Sequence, residues 1–283
     1  MFRVVRVKKY AALLCALVII FCACFGVMAA SVTKKSVILP VIMYHTVLQS
    51  GSGAYNITPH QLEEDLIELK KQNFTAVFVD DVVNFVKKGG PLPEKPVILS
   101  FDDGYYNNYY YAFPLIKKYQ SKMVISHIAS LSEKAAQQKY GVNHIEYSYL
   151  IPSQLKEMYD SGFVEIANHS YNMHSVYPRK GVKKLKSESL DSYKTALAED
   201  INRAQNVIKN ACGRAPTVFC YPFGAVSDVT PEIIKSLGFE ATLGCEEKLN
   251  TVTAGDENCL YSLRRFRRRP GMNMVDFLKF MGV

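Results

Sequence analysis

Beyond residue 30 the chain has only four cysteines, Cys212, Cys220, Cys245 and Cys259, and no two of them have the short spacing of a zinc knuckle or a CxxC pair. A cysteine-held zinc module and a dithiol redox centre are thereby excluded. Four thiols would permit two disulfides in an oxidising space, but buried or incidental thiols fit them better. Histidine is also scarce, with none after His174. Charge is missing altogether from Tyr10 to Ala30, close to the roughly 20 apolar residues a helix needs to cross hydrocarbon. No acid precedes that stretch, whereas Arg3, Arg6, Lys8 and Lys9 do, so its N-terminus is expected to stay cytoplasmic and the remainder to lie outside. Val27-Met28-Ala29 and Ala30-Ser31 offer small residues at which the segment could be cut, giving a secreted form. Phe21-Cys22-Ala23-Cys24 fits a lipoprotein box poorly. The net charge of +8 owes four positives to residues 1–9, which removes the case for a nucleic-acid partner.

What is present describes a globular exported part. At 283 residues and 48% hydrophobic, the chain can bury one sizeable core. The expected organisation is a basic N-terminus (1–9), a transmembrane anchor or signal segment (10–30), a linker (31–36) and one domain (37–283). Val37 to Tyr44 reads as a buried strand. Thr58-Pro59-His60-Gln61 opens a helix, with a capping residue, proline at its first position and Leu62, Leu66 and Leu69 at helical spacing. Strands are expected over Thr75–Val79, Val97–Phe101, Met123–Ile128 and Phe163–Ala167 and near Val218 and Ala241. Helices are expected over Asp81–Lys88, Ala112–Tyr119, Ser153–Asp160, Leu190–Asn210, Pro231–Leu237 and Met274–Phe280, with Ser130–Tyr149 as a long surface loop. Such alternation implies a parallel sheet or an α/β barrel with its functional residues at the C-terminal strand ends.

Two constellations sit at such ends. Ser100-Phe101-Asp102-Asp103-Gly104 closes the strand begun at Val97, and neighbouring carboxylates can serve one site only if the chain turns there, as Gly104 allows. One acid can then hold a cation while the other takes a proton from water, although Asp-Asp-Gly by itself also suits a solvated turn. Phe163 to Asn168 leads into His169-Ser170-Tyr171-Asn172-Met173-His174. Two histidines five apart cannot share a helical face, so a loop must carry them. With one carboxylate they would make a two-His-one-carboxylate site with open positions.

These motifs, with Phe219-Cys220-Tyr221-Pro222-Phe223-Gly224, resemble the polysaccharide deacetylase family, carbohydrate esterase family four, over Val37 to Val283. The resemblance implies a NodB-like α/β fold, a deformed (β/α) barrel of seven or eight strands. It also implies Asp102 as general base and Asp103, His169 and His174 as ligands of a divalent metal, zinc by preference with cobalt, nickel or manganese as substitutes. Tyr221 would help hold the oxyanion through its backbone N–H. The histidine spacing is one residue longer than the common one, as in the circularly permuted branch of exported poly-N-acetylglucosamine deacetylases. That branch carries its acid in an early Tyr-His motif, which makes His45 of Val41-Ile42-Met43-Tyr44-His45 the expected acid. The third-motif arginine is absent, and Arg214 stands too far before Tyr221 to replace it. From the run Arg264, Arg265, Arg267, Arg268, Arg269, Arg265 is the expected brace for Asp102, with the others on a solvated edge. His127 is a weaker candidate for the mouth of the site.

The implied reaction is metal-dependent N-deacetylation of an N-acetylglucosamine-containing glycan, of peptidoglycan or poly-N-acetylglucosamine type, on the outer face of a cell membrane. The competing readings are an O-acetyl esterase on a xylan-like glycan and a non-catalytic, membrane-tethered glycan-binding module.

Overall fold

Proline breaks the first expected strand in two. A computed structural model describes residues 35–51, 53–138 and 143–283. In it Pro40 separates β1 (Ser36–Leu39), which pairs antiparallel with β11 (Asn250–Thr253), from β2 (Val41–Tyr44), which enters a parallel sheet. Proline has no N–H to donate to a ladder, so the chain changes partners there. The basic N-terminus and the charge-free stretch at 10–30 lie outside the described residues. Among those that are described, no helix is long and apolar enough to cross a membrane.

The parallel sheet comprises β2, β5 (Thr75–Ala76), β6 (Pro96–Phe101), β7 (Met123–His127), β8 (Val164–Asn168), β9 (Val218–Cys220), β10 (Ala241–Leu243) and β12 (Phe266–Arg267). Its order is β10-β9-β8-β7-β6-β2-β12, with β5 also on β6. The sheet curls, and its two ends meet through a parallel bridge between Leu243 and Leu263, where the Gly244 N–H donates to the Leu263 carbonyl at 2.8 Å. Every residue of β6, β7 and β8 is buried, and the strands are accordingly mostly apolar, with Ser100, Ser126, His127, Glu165 and Asn168 as the polar exceptions. A small parallel pair, β3 (Thr46–Val47) and β4 (Asn56–Ile57), stands beside it.

Helices cover the sheet. In α1 (Pro59–Lys71), the Thr58 hydroxyl accepts from the Gln61 N–H at 3.0 Å, and Leu62, Leu66 and Leu69 are buried. The strand expected over Thr75–Val79 stops at Ala76, because α2 (Val79–Lys88) begins at once. The Asp81 carboxylate accepts the Phe78 N–H, and buried Glu165 of β8 accepts the Val79 and Asp80 N–H groups at 2.7 and 3.1 Å. After α3 (Phe113–Lys118) the surface loop expected over Ser130–Tyr149 is a helix in its first part, α4 (Ala129–Gln137), while the described residues from Gln138 to Tyr149 form no helix. Its buried face consists of Ala129, Ser130, Ser132 and Ala135, small residues with almost no hydrophobic signature. The remaining helices are α5 (Pro152–Asp160), α6 (Leu190–Cys212), α7 (Thr230–Ser236) and α8 (Met274–Met281). All four cysteines beyond residue 30 are free.

Strand alternation divides the core. Ile42, Tyr44, Leu99 and Phe101 pack with α1 and α8, whereas Val41 and Ile98 belong to the apolar cluster on the opposite face. That opposite face carries Ser100 and Asp102 along β6, and Met43 and His45 along β2, toward one cleft.

Candidate active site

The cleft, of about 710 Å³, opens at the C-terminal ends of the strands. Asp102, Asp103, His45, His169 and His174 all line it. β6 ends in a turn that puts both carboxylates on the same side: Asp103 has φ 72° and Gly104 φ 73°. At Gly104 a side chain is excluded twice, by that left-handed backbone and by His127 Nδ1, which would lie 2.5 Å from an added Cβ. His127 is therefore packing beneath the turn, fully buried, and does not line the cleft; burial pushes its imidazole down to about 4.

Arg265 holds Asp102 with two parallel bonds, Nη1 to Oδ1 at 2.7 Å and Nη2 to Oδ2 at 2.9 Å. Its Nη1 also meets Ser100 Oγ at 2.8 Å, and its Nε donates to the Gly244 carbonyl at 2.6 Å. Both partners are buried, the geometry in which an ion pair is strongest and most costly to break. Burial opposes ionisation of Asp102, but the Arg265 guanidinium prevails and holds the carboxyl far below the usual carboxylate range. His45 Nε2 lies 3.9 Å from Asp102 Oδ2. Burial pushes the His45 imidazole down from its ordinary value, against the pull of Asp102 and Asp103.

The histidine loop is fixed from behind. His169 Nδ1 lies 2.8 Å from the Cys220 carbonyl, which can only accept, so Nδ1 carries the proton and Nε2 presents a lone pair. The Asp200 carboxylate, on α6, accepts the N–H groups of Tyr171 and Asn172, each at 2.8 Å. Asn168 Oδ1 accepts the N–H of Ser170, which sits at φ 72°. His174 thereby reaches Asp103: its Nε2 is 3.2 Å from Asp103 Oδ1, and His169 Nε2 is 3.6 Å from the same oxygen. The alignment is too poor for a hydrogen bond, so Asp103 Oδ1 is buried without a partner while facing two imidazole nitrogens. An orphaned carboxylate oxygen among imidazole lone pairs is what a divalent cation completes, and the Asp103, His169 and His174 donor atoms lie within 4.8 Å of one another. A second grouping, Asp102, His169 and Cys220, suits an ion less well. Both Asp102 oxygens are committed to Arg265, and burial pushes the Cys220 thiol up, away from the thiolate a metal needs.

Two further expectations need correction. The Tyr221 N–H donates to the Leu243 carbonyl at 3.0 Å and its side chain is buried, so it is not available to an oxyanion; Phe223, with φ 58°, is the residue of this motif that lines the cleft, its ring 4.4 Å from that of His174. The arginine run is not a solvated edge, because Arg268 is buried on Asp65 (2.6 and 2.8 Å) and Arg267 lines the cleft. Tyr55 and Tyr105 line it too, and neither drew notice in a sequence rich in tyrosine. Arg214 pairs with Asp80, outside the cleft.

A curled parallel sheet with a braced carboxylate and an Asp-His-His group able to hold a cation at its C-terminal edge is the arrangement that metal-assisted hydrolysis on an α/β fold requires. The family model for polysaccharide deacetylase matches residues 89–242, more than half of the chain, and the chain belongs to that family. It is 26% identical over 205 residues to a poly-beta-1,6-N-acetyl-D-glucosamine N-deacetylase of Escherichia coli K12, covering 66% of this chain but 30% of that relative's own length. A Staphylococcus epidermidis protein of the same description is 25% identical over 214 residues, 73% of this chain and 68% of its own. Among solved structures, a de-N-acetylase from Aggregatibacter actinomycetemcomitans superposes with a TM-score of 0.71 at 25% identity, over 86% of this chain and 99% of that one.

Proposed function

We propose that this protein removes N-acetyl groups from an N-acetylglucosamine polymer, of the poly-β-1,6-linked kind named for its relatives, and releases acetate. The observation that carries the reading is the convergence of Asp103, His169 and His174 beside an Asp102 kept ionised by Arg265. Asp103, His169 and His174 would hold a divalent cation, with zinc the first choice for one carboxylate and two imidazoles. Such a cation supplies Lewis acidity toward an amide carbonyl and acidifies water. Asp102 accepts the proton of the attacking water. Its bidentate bond to Arg265 fixes the direction in which its lone pairs point, and it stabilises the ionised form that a base requires. His45 delivers a proton to the departing sugar amine, without which the C–N bond breaks toward a poor leaving group. Phe223 and Tyr55 give the cleft apolar walls for sugar rings.

The charge-free stretch from Tyr10 to Ala30 and the basic residues before it support a site on the outer face of a membrane, with residues 37–283 exported. A mature protein starting near Ala30 would replace the tether with a secreted form, and mass spectrometry of the N-terminus decides this. The activity is tested by acetate release from β-1,6- and β-1,4-linked N-acetylglucosamine oligomers by the exported part, with and without added zinc. Release that depends on metal is expected. No release from any acetylated glycan would overturn the reading.

A further inference from the structure

Four of the five arginines between residues 264 and 269 have a carboxylate: Arg264 has Glu246, Arg265 has Asp102, Arg268 has Asp65 and Arg269 has Glu247. Arg267 alone has none among the described residues. Glu247 stands close, but it accepts the Arg267 backbone N–H at 3.1 Å with one oxygen and Arg269 Nη2 at 3.2 Å with the other. The Arg267 guanidinium lies instead over the Tyr55 ring, 5.1 Å from its centre, and lines the catalytic cleft. Tyr55 in turn packs on His45, with ring centres 4.6 Å apart. An uncommitted positive charge thus sits one ring beyond the group that would protonate the leaving amine. Lys180, exposed and without an ion pair among the described residues, lines the same cleft.

The chemistry gives that charge a consequence. Deacetylation turns a neutral acetamide into an amine that is mostly protonated at neutral pH, as an ordinary α-amino group is with a pKa near about 7.7. Every turnover therefore places a positive charge on the polymer. We infer that Arg267, held on Tyr55 beside His45, is a specificity residue that disfavours binding of a glycan whose neighbouring unit is already deacetylated. Runs of adjacent free amines are then slow to form, and the product keeps its charges spaced along the chain. The inference rests on the deacetylase reading above. Like charges about 7 Å apart in a cleft open to water, with an effective dielectric constant of about 40 to 80, are worth roughly a few-fold to tenfold in affinity, and such a cost appears in KM rather than kcat.

The test uses the full exported part with two defined oligomers, a fully N-acetylated pentamer and the same pentamer with one glucosamine beside the reacting unit. Wild type should show higher kcat/KM on the first by about three- to tenfold at low salt. The gap should shrink in molar salt, where the screening length falls to about 3 Å. Arg267→Gln should close it, and Arg267→Lys should keep most of it. A merely structural role for Arg267 would lower activity on both oligomers together and leave their ratio unchanged. Equal kcat/KM for both in wild type, or a gap that survives Arg267→Gln, overturns the inference alone. Failure to release acetate from the fully acetylated pentamer overturns the deacetylase reading, and this inference with it.

Discussion

Asp102 and Asp103 are chemically identical neighbours that the fold makes unlike. Asp102 has both oxygens on a buried guanidinium, whereas Asp103 has a buried oxygen that faces two imidazole nitrogens without a hydrogen bond of its own. Asp103→Asn should lose zinc and recover part of its activity when zinc is added in excess, because an amide oxygen is a poorer ligand for a divalent cation. Asp102→Asn should keep its zinc and lose acetate release by on the order of 10²-fold or more. Bound metal and acetate, measured for both variants across a zinc titration, check the division. Arg265 adds a pH dependence. Because the folded Asp102 carboxyl is depressed below its unfolded value, the stability its ion pair contributes is fully present above the ordinary carboxylate range and is lost as pH falls through the depressed one. Arg265→Gln removes the charge that depresses it, so the base loses its ionised form at a higher pH. The acidic limb of the kcat/KM profile should move upward, and an unmoved limb would deny Arg265 its hold on the base. Of the five arginines the resemblance singled out Arg265, but nothing in the sequence showed that Arg267 and Arg268 also leave the solvated edge. The answer lies in strand alternation, with 265 and 267 toward the cleft and 266 and 268 toward the helices. A two-residue strand flanked by arginines on both sides gives no hydrophobic pattern from which to read it.

The elements that hold the histidine loop are better hidden than the histidines. The loop after β8 was foreseeable, since residues five apart cannot share a helical face, but its support comes from α6, where Asp200 accepts two loop N–H groups. No local pattern links Asp200 to Tyr171. Asp200→Ala should weaken zinc binding by about tenfold, the typical effect of losing a group that orients a ligand. The Asp200→Ala protein should remain folded, because α6 keeps its Ser189 cap and its buried Leu197, Ile201 and Ala204. Zinc affinity by competition with a chelator, alongside the thermal midpoint, separates the two effects. Small residues explain the other lapse at this scale: α4 buries alanine and serine against α5 and α6, so its periodicity is invisible to hydrophobicity. Caps were the most legible feature, as Thr58 and Pro59 show, because a cap is a local arrangement that needs no distant partner.

Across the whole molecule, alternating strands and helices were enough to imply a parallel sheet with its site at one edge, but not how the sheet's two ends come together. That meeting depends on Phe266 and Arg267 returning beside Ile42 and Met43 of β2, a pairing of segments more than 200 positions apart with no signature in either, which brings Leu263 against Leu243. Asp65 of α1 and Arg268, just past β12, fasten it. Arg268 gives Nε and Nη2 to the two Asp65 oxygens, Tyr44 donates its hydroxyl to the same carboxylate, and both charged residues are almost fully buried. Removing one partner leaves the other charge buried and unpaired, which typically costs about 3–5 kcal/mol, a large part of the stability of a single domain. Arg268→Met should therefore lower the midpoint of urea unfolding substantially. Replacing both residues, Asp65→Leu with Arg268→Met, should restore most of the loss, since an apolar pair of similar volume avoids the desolvation cost. Arg265 immediately precedes the strand that Arg268 anchors, so Arg268→Met should loosen the brace on Asp102 and reduce acetate release beyond the fraction unfolded, whereas the double variant should regain both. Equilibrium unfolding of the three proteins, with activity corrected for the folded fraction, decides it. If Arg268→Met alone were as stable as wild type, the Asp65 pair would not be what joins the end of the chain to α1.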